Sequence, residues 1–473
     1  ENTALGAYAL DANTTGADSL ALGFNALTTN TTGGSNVATG HQSLQNNTTG
    51  SSNVAVGRNA MQANTTAPNN TGIGYKALEA NTTGNANTAV GALALDANTT
   101  GVELTAVGKS ALSASTGSYN TAMGSGAMTT TTSGTHNSAF GRIALSLNTT
   151  GANNVAVGSR ALYANTTASN NTAVGVSALT ANTTGTGNIA MGHYTLQSNT
   201  TGGYNTAMGY NPMANNTTGS NNVAIGREAM VANTTGVSNV AVGYHALYSN
   251  TTGTKNTAVG YEALNSVTTT GDNTAIGWNA GRGITGAGNN AIGAYALDAG
   301  FGANDNIAIG NHSLTNKTAG GSCVAVGNSA MNATTDAADC TAIGSAALRY
   351  NTTGANNTAV GKHAMYDNTT GTHNTAVGRE ALQNITTGSS NTVIGRGAGN
   401  STASGVNNTY LGALAGQYNT SGDYNIAIGY LAGGWTTAGN VTGNFNIHMG
   451  YATNGSSNSV SKEMVITVGD NGS

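Results

Sequence analysis

The sequence predicts an all-β fold, a parallel β-solenoid (β-roll) of about 28 coils with a 17-residue period. The main observation is a glycine in Asn-Thr-Ala-Val-Gly motifs, here position 0 of the repeat, which recurs as Gly6, Gly23, Gly40 and onward. Such self-similarity is the signature of repeat architectures. The step departs from this period only between Gly108 and Gly124, Gly277 and Gly293, Gly429 and Gly450, and Gly450 and Gly469.

The second observation is an apolar pattern on short segments. Position −1 is aliphatic in nearly every unit, as in Val56, and position +4 is Leu or Met, as in Leu27, while positions −2 and +3 are usually Ala. Segments of four or five residues between Gly, Asn and Thr turns have strand length. We therefore expect two short strands and two turns per coil, stacked at roughly 4.8 Å, with positions −1 and +4 as the large apolar slots.

The third observation is a polar residue that recurs at position −4, where 23 of 28 units have Asn. We expect these amides to form an internal ladder, because stacking satisfies every buried amide in the same way. The two cysteines, Cys323 and Cys340, occupy this position in adjacent units. They should lie directly above one another, either as a disulfide or as two buried, stacked thiols.

The motif Asn-Thr-Thr-Gly occurs thirteen times and places Asn at position +7. Asn, Thr and Gly suit a tight turn. Where Asn is replaced at this position, Val267 indicates a partly buried site, whereas Lys317 indicates a site at the edge of the coil. Asn-x-Thr is also the acceptor sequence for N-linked sugar. Turn formation is the favoured interpretation, and glycosylation stays open at Asn13, Asn30, Asn47, Asn148, Asn165, Asn250, Asn351 and Asn368.

Composition narrows the class of protein. Of 473 residues 69 are Gly and only 7 % are charged, with two Pro. The net charge of −4 gives no basic surface for nucleic acid, and no apolar run is long enough to insert into a membrane. We expect a repeat shaft over 1–450, followed by divergent terminal coils over 451–473 that lead to an absent C-terminal region.

The sequence contains no constellation typical of an enzyme. The carboxylates do not recur at acid/base spacing, and the eight His occupy unrelated repeat positions. The glycines follow the repeat and lack the Lys-Ser/Thr of a phosphate loop. We therefore expect no catalysis, no metal site and no cofactor.

Positions +1 and +2 have most of the charges and many aromatics, which indicates the solvated face. Tyr210, Tyr244, Tyr261 and Trp278 all occupy position +1 and predict an exposed aromatic strip. Such a strip could contact glycans, but stacked rings that stabilise a solenoid are the favoured interpretation.

One thin coil buries little apolar surface relative to the length of chain that it orders. The recurrent Ala at positions −2 and +3 should offer a flat strip where another chain can approach. We therefore expect an intertwined or side-by-side homotrimeric rod.

The units "NTAVGYEAL" (256–264) and "NNVAIGREAM" (221–230) resemble head repeats of trimeric autotransporter adhesins and shaft repeats of viral tail fibres. The closing "SNSVSKEMVITVGDNGS" (457–473) is similar to the segment before an intramolecular chaperone. The resemblance implies a left-handed trimeric β-solenoid and attachment without catalysis. The extra Asn-Thr-Thr turn and the 17-residue period depart from adhesin heads.

Three functions follow as expectations. The first is an extracellular or virion-surface fibre for attachment to a cell-surface glycan or receptor. The second is a secreted structural filament with end-to-end contacts. An ice-binding solenoid is remote, because the Thr pairs lie in turns beside Gly.

Overall fold

The computed structural model describes residues 1–433, 442–453 and 459–467. In these ranges the chain is an all-β parallel solenoid with one strand per coil and no helix. The chain divides into two compact units, Glu1–Ser238 and Asn239–Ser473. The predicted fold class and the repeat period are confirmed.

The described residues of each unit form fourteen three-residue strands. Those of the first unit are β1 Thr3–Leu5, β2 Leu20–Leu22, β3 Val37–Thr39, β4 Val54–Val56, β5 Thr71–Ile73, β6 Thr88–Val90, β7 Thr105–Val107, β8 Thr121–Met123, β9 Ser138–Phe140, β10 Val155–Val157, β11 Thr172–Val174, β12 Ile189–Met191, β13 Thr206–Met208 and β14 Val223–Ile225. Those of the second are β15 Val240–Val242, β16 Thr257–Val259, β17 Thr274–Ile276, β18 Asn290–Ile292, β19 Ile307–Ile309, β20 Val324–Val326, β21 Thr341–Ile343, β22 Thr358–Val360, β23 Thr375–Val377, β24 Thr392–Ile394, β25 Thr409–Leu411, β26 Ile426–Ile428, β27 Ile447–Met449 and β28 Met464–Ile466.

Within each unit consecutive strands pair in parallel and in register, so that each repeat position lies over itself. Val37 is opposite Val54, which holds the same position in the following repeat. Thr105 is opposite Thr121, so the one-residue deletion is absorbed in the turns and leaves the strands aligned.

The last coil departs from the predicted alignment. Ile447 pairs with Met464 and His448 with Val465, which aligns Thr467 rather than Gly469 with Gly450. The final step therefore has the ordinary length of the repeat. The segments 454–458 and 468–473, which belong to the predicted terminal coils, lie outside the described residues.

The direction of the side chains corrects one sequence prediction. The central strand residue points inward, as with Ala38, and the residues on either side point outward. Ala26 and Leu27, at positions +3 and +4, are also fully buried. The Ala positions therefore form the interior and not a contact strip, while the aliphatic residues at position −1 lie on the outside.

The second predicted strand is absent from the described coils, because positions +2 and +4 adopt left-handed backbone angles. Asn25 has a φ of 56° and Leu27 a φ of 52°, which a strand does not allow. The segment still bonds to the next coil, since the Leu27 N–H donates to the Ser43 carbonyl at 3.1 Å. The turn thus replaces strand pairing without leaving its amides unsatisfied.

The glycine at position 0 is required for two reasons. At Gly40 the backbone has a φ of +135°, a region closed to side-chain-bearing residues. A Cβ at Gly40 would also lie 2.6 Å from the Gly57 carbonyl oxygen of the next coil. The close stacking of the coils therefore requires glycine at position 0.

At β25 a large inward residue is accommodated because the residue opposite it is glycine. Tyr410 replaces the inward Ala of β25 and is fully enclosed. The facing residue at position +4 is Gly416, where a Cβ would lie 2.7 Å from the tyrosine ring. The Tyr410 hydroxyl accepts a hydrogen bond from Asn419 Nδ2 at 2.5 Å, so the added polar group is satisfied.

Candidate functional site

The most extended surface feature is a row of side chains at position −1, apolar except at Thr39 and here called the outer stripe. Its members are half-buried or exposed in every described strand; Met123 and Ile343, for example, are each 43 % exposed. The first unit contributes Leu5, Leu22, Thr39, Val56, Ile73, Val90, Val107, Met123, Phe140, Val157, Val174, Met191, Met208 and Ile225. The second contributes Val242, Val259, Ile276, Ile292, Ile309, Val326, Ile343, Val360, Val377, Ile394, Leu411, Ile428, Met449 and Ile466.

A second row at position −3 lies beside the outer stripe on the same face. It consists mainly of Thr, Val and Ile, and neither row contains a charged residue. Continuous exposed apolar surface of this kind marks interaction sites. The outer stripe is therefore the strongest candidate for a functional surface on each unit.

Two ladders of amides run through the interior. At position −4, Asn36 Nδ2 donates to the Gly50 carbonyl at 2.8 Å, and Asn36 Oδ1 accepts the Asn53 backbone N–H at 3.0 Å. At position +7, Asn47 Nδ2 donates to Asn30 Oδ1 at 2.8 Å. The internal ladder predicted at position −4 is confirmed, and the motif Asn-Thr-Thr builds a second one.

The burial of the second ladder counts against the glycosylation hypothesis. Seven of the eight proposed acceptors have no exposed surface and Asn13 is half-buried. The seven buried acceptors are Asn30, Asn47, Asn148, Asn165, Asn250, Asn351 and Asn368. A sugar on any of these nitrogen atoms would have to replace a hydrogen bond inside the coil, such as the one from Asn148 Nδ2 to the Gly151 carbonyl, and would not fit there.

Both ladders are interrupted in the same place. Lys317 replaces Asn at position +7, and Cys323 and Cys340 replace Asn at position −4. All three side chains are fully buried. The prediction that Lys317 marks an edge is wrong. Its amine lies inside the coil, donates to the Ala337 carbonyl and is 3.6 Å from Cys323 Sγ.

The two cysteines are free thiols in this structure. The pKa of Cys323 is lowered, chiefly by the neighbouring Cys340 thiol and also by the Lys317 ammonium, against the opposing effect of burial. The pKa of Cys340 is raised by the neighbouring Cys323 sulfur and by burial. Of the two thiols, Cys323 is therefore the more acidic.

The aromatic strip forms part of a stack. Tyr261 stacks on Tyr244 with centroids 5.1 Å apart and on Trp278 at 4.1 Å. Tyr210 lies in the first unit and stacks on His193 at 5.7 Å. Both faces of the Tyr261 ring are covered by the rings of Tyr244 and Trp278. A sugar could therefore stack only at the end of this stack, where Trp278 is 51 % exposed.

A surface cleft of about 350 Å³ lies on the second unit. Glu262, Asn265 and Phe301 line it together with Arg282, whose Nε is 3.0 Å from Asp298 Oδ1. Sequence reasoning did not find this cleft. The sequence feature that could have indicated the cleft is the loss of the Asn-Thr-Thr turn in consecutive units, around Val267 and Ile284.

In the described ranges no group of three or more His, Cys, Asp or Glu side chains could hold a metal ion. No helix there has the length and apolarity to cross a bilayer. The fold and its repeats define a β-solenoid repeat protein. No protein-family model, curated protein or solved structure matches the chain.

Proposed function

We propose that the chain is a non-enzymatic structural shaft that assembles with further copies of itself through the outer stripe. The observation that supports this is the stripe, an apolar residue at position −1 of nearly every coil, half-buried or exposed in each described one. Burying such side chains is worth roughly 1.5–3 kcal/mol each. The repetition of a small gain over many coils favours a long, stable contact.

A second copy of this chain is the occupant that fits the stripe. Its side chains recur at the coil spacing of roughly 4.8 Å, and only a partner with the same spacing can match them coil by coil along each unit. Closed symmetry is the rule for homo-oligomers, and three copies around one axis let every stripe face inward. We propose a trimer.

The function of such a trimer is attachment. It holds a recognition element away from a surface, either outside cells or on a virion, and contacts a glycan or receptor. The scarcity of charged residues (7 %) is compatible with a mechanical role.

Paired substitutions test the proposal. Ile309→Lys with Val326→Lys adds two charges to the outer stripe, which should convert a trimer to monomers because buried, unpaired charges are costly. Asn311→Lys with Asn328→Lys adds the same charges to exposed position +1 of the same coils and should leave the trimer intact. Sedimentation analysis measures the masses, and equal masses for the two variants would reject the stripe as the interface.

Ice binding is a second candidate because of the row at position −3. Thr341, Thr358, Thr375, Thr392 and Thr409 occupy five consecutive outward rungs beside aliphatic residues. This Thr row lies on the strand face, unlike the Thr pairs in the turns. A monomer that shows thermal hysteresis would favour this candidate, since a trimer buries the same face.

A further inference from the structure

We propose that Cys323 and Cys340 bind one soft monovalent metal ion of the Cu(I) class between their sulfur atoms. These are the only two cysteines of the chain, and they lie in adjacent coils. Soft thiolate ligands select Cu(I). The proposal is independent of the shaft function.

The spacing of the sulfur atoms follows from their surroundings. Cys323 Sγ is 3.4 Å from the Ala337 carbonyl oxygen, and Cys340 Sγ is 3.3 Å from the Gly354 carbonyl oxygen. Ala337 and Gly354 occupy the same repeat position in successive coils. The two sulfur atoms are therefore related by one coil step, roughly 4.8 Å.

In the present side-chain conformation this distance suits a bridging ion and not a disulfide. A disulfide needs sulfur atoms about 2.05 Å apart, so both cysteine side chains would have to rotate toward each other. At about 2.3 Å, the length of a zinc–thiolate bond, two metal–sulfur bonds in a straight line span roughly 4.6 Å. An ion with two-coordinate geometry fits between the stacked thiols without displacing the backbone.

Lys317 supplies the charge that the site requires. When a monovalent ion binds, two S–H bonds break, two metal–sulfur bonds form and two protons leave, which gives the complex one negative charge. The buried Lys317 amine, 3.6 Å from Cys323 Sγ, balances it when protonated. Zn²⁺ prefers four ligands, and the described side chains around the pair do not provide them.

The test uses the reduced full-length chain under argon, with Cu(I) supplied as its acetonitrile complex. Cu(I) is added to the folded chain in one arm and during refolding in the other. We expect one Cu(I) per chain by native mass spectrometry in at least one arm and no retained Zn²⁺. Absence of Cu(I) in both arms, or equal retention of Zn²⁺, would overturn the proposal.

Matched variants restore the common residue of each ladder and should therefore fold. Cys323→Asn and Cys340→Asn should each abolish retention of the ion. Lys317→Asn should weaken binding by about tenfold or more, because the complex then has an unbalanced buried charge. Undiminished Cu(I) retention in Cys340→Asn would place the ion elsewhere and reject the site.

Discussion

At the scale of single residues, the repeat is determined by what each position can accommodate inside a narrow coil. Position −4 and position +7 hold amides that bond to the next coil, as at Asn36 and Asn47. Position 0 holds glycine because of its backbone angle and the carbonyl of the following coil. Because the coils stack in register, each constraint applies to the same repeat position in the neighbouring coils.

The glycine constraint leads to a first prediction. Gly40→Ala should destabilise its coil by about 3 kcal/mol or more, because it combines a strained φ with overpacking against the backbone. Hydrogen exchange of the Gly57 amide, which donates to the Thr39 carbonyl at 2.8 Å, reports the loss.

Gly34→Ala is the control for this substitution. Equivalent positions in neighbouring coils already have side chains, as in Ala17 and Ser51, and a Cβ at Gly34 meets nothing closer than 3.2 Å. Exchange should stay near the wild-type rate. Similar exchange in the two variants would contradict the packing account of position 0.

The buried amides lead to a second prediction. In a host with N-glycosylation machinery, sugars should be absent from Asn148 and Asn165, which have no exposed surface. Asn46 and Asn215 also begin acceptor sequences but are exposed, and they serve as controls that can accept sugar. A peptide mass increase of hundreds of daltons or more at Asn148 or Asn165 in the folded chain would show that the second ladder is not closed.

At the scale of the element, the coil is one strand followed by a turn that continues the hydrogen bonding. The sequence was sufficient to predict the period, the parallel register and the inward Asn at position −4. The orientation of the strand was wrong, although the information was present. Successive strand residues alternate between faces, so an inward position −4 requires an inward position −2 and an outward position −1.

The error came from assigning the larger side chain to the core, which is the usual rule. In this coil the strand faces a narrow interior that Leu or Met at position +4 already fills, leaving room only for Ala. Where Gly replaces the large residue at position +4, as at Gly416, a large inward residue such as Tyr410 becomes possible. The Lys317 cluster could not be predicted from pattern alone, because lysine at a single repeat position usually indicates an exposed site.

A third prediction concerns β27, in which His448 occupies the inward Ala position and is 8 % exposed. Burial lowers the pKa of His448, against a smaller opposing effect of the Glu463 carboxylate. The folded pKa is therefore below the unfolded value of about 6.5, and the unfolded chain binds the proton more readily. Stability of this coil is retained above about pH 6.5 and decreases as the pH falls toward the folded pKa.

Hydrogen-exchange protection factors between pH 7 and pH 5 measure this effect. Protection of β27 should decrease relative to β22, and His448→Ala, which restores the common inward residue, should remove the difference. Unchanged protection of β27 in the wild type would show that His448 does not remain neutral in the fold.

At the scale of the whole molecule, the account depends on what covers the outer stripe. A surface with an apolar row and an uncharged row beside it favours association. Because the side chains recur at the coil spacing, a second copy of the chain, which has the same spacing, is the favoured partner. The repeat pattern predicts association, but the Ala residues expected to form the contact are in the interior. The proposed trimer therefore keeps the expected partner and changes the surface that binds it.

Electron cryomicroscopy of the purified chain tests this central claim most directly. The account predicts three chains in each cross-section, rungs about 4.8 Å apart, and the side chains of Ile309 and Val326 directed toward the other two copies. A particle with one chain per cross-section and these side chains directed into solvent would contradict it.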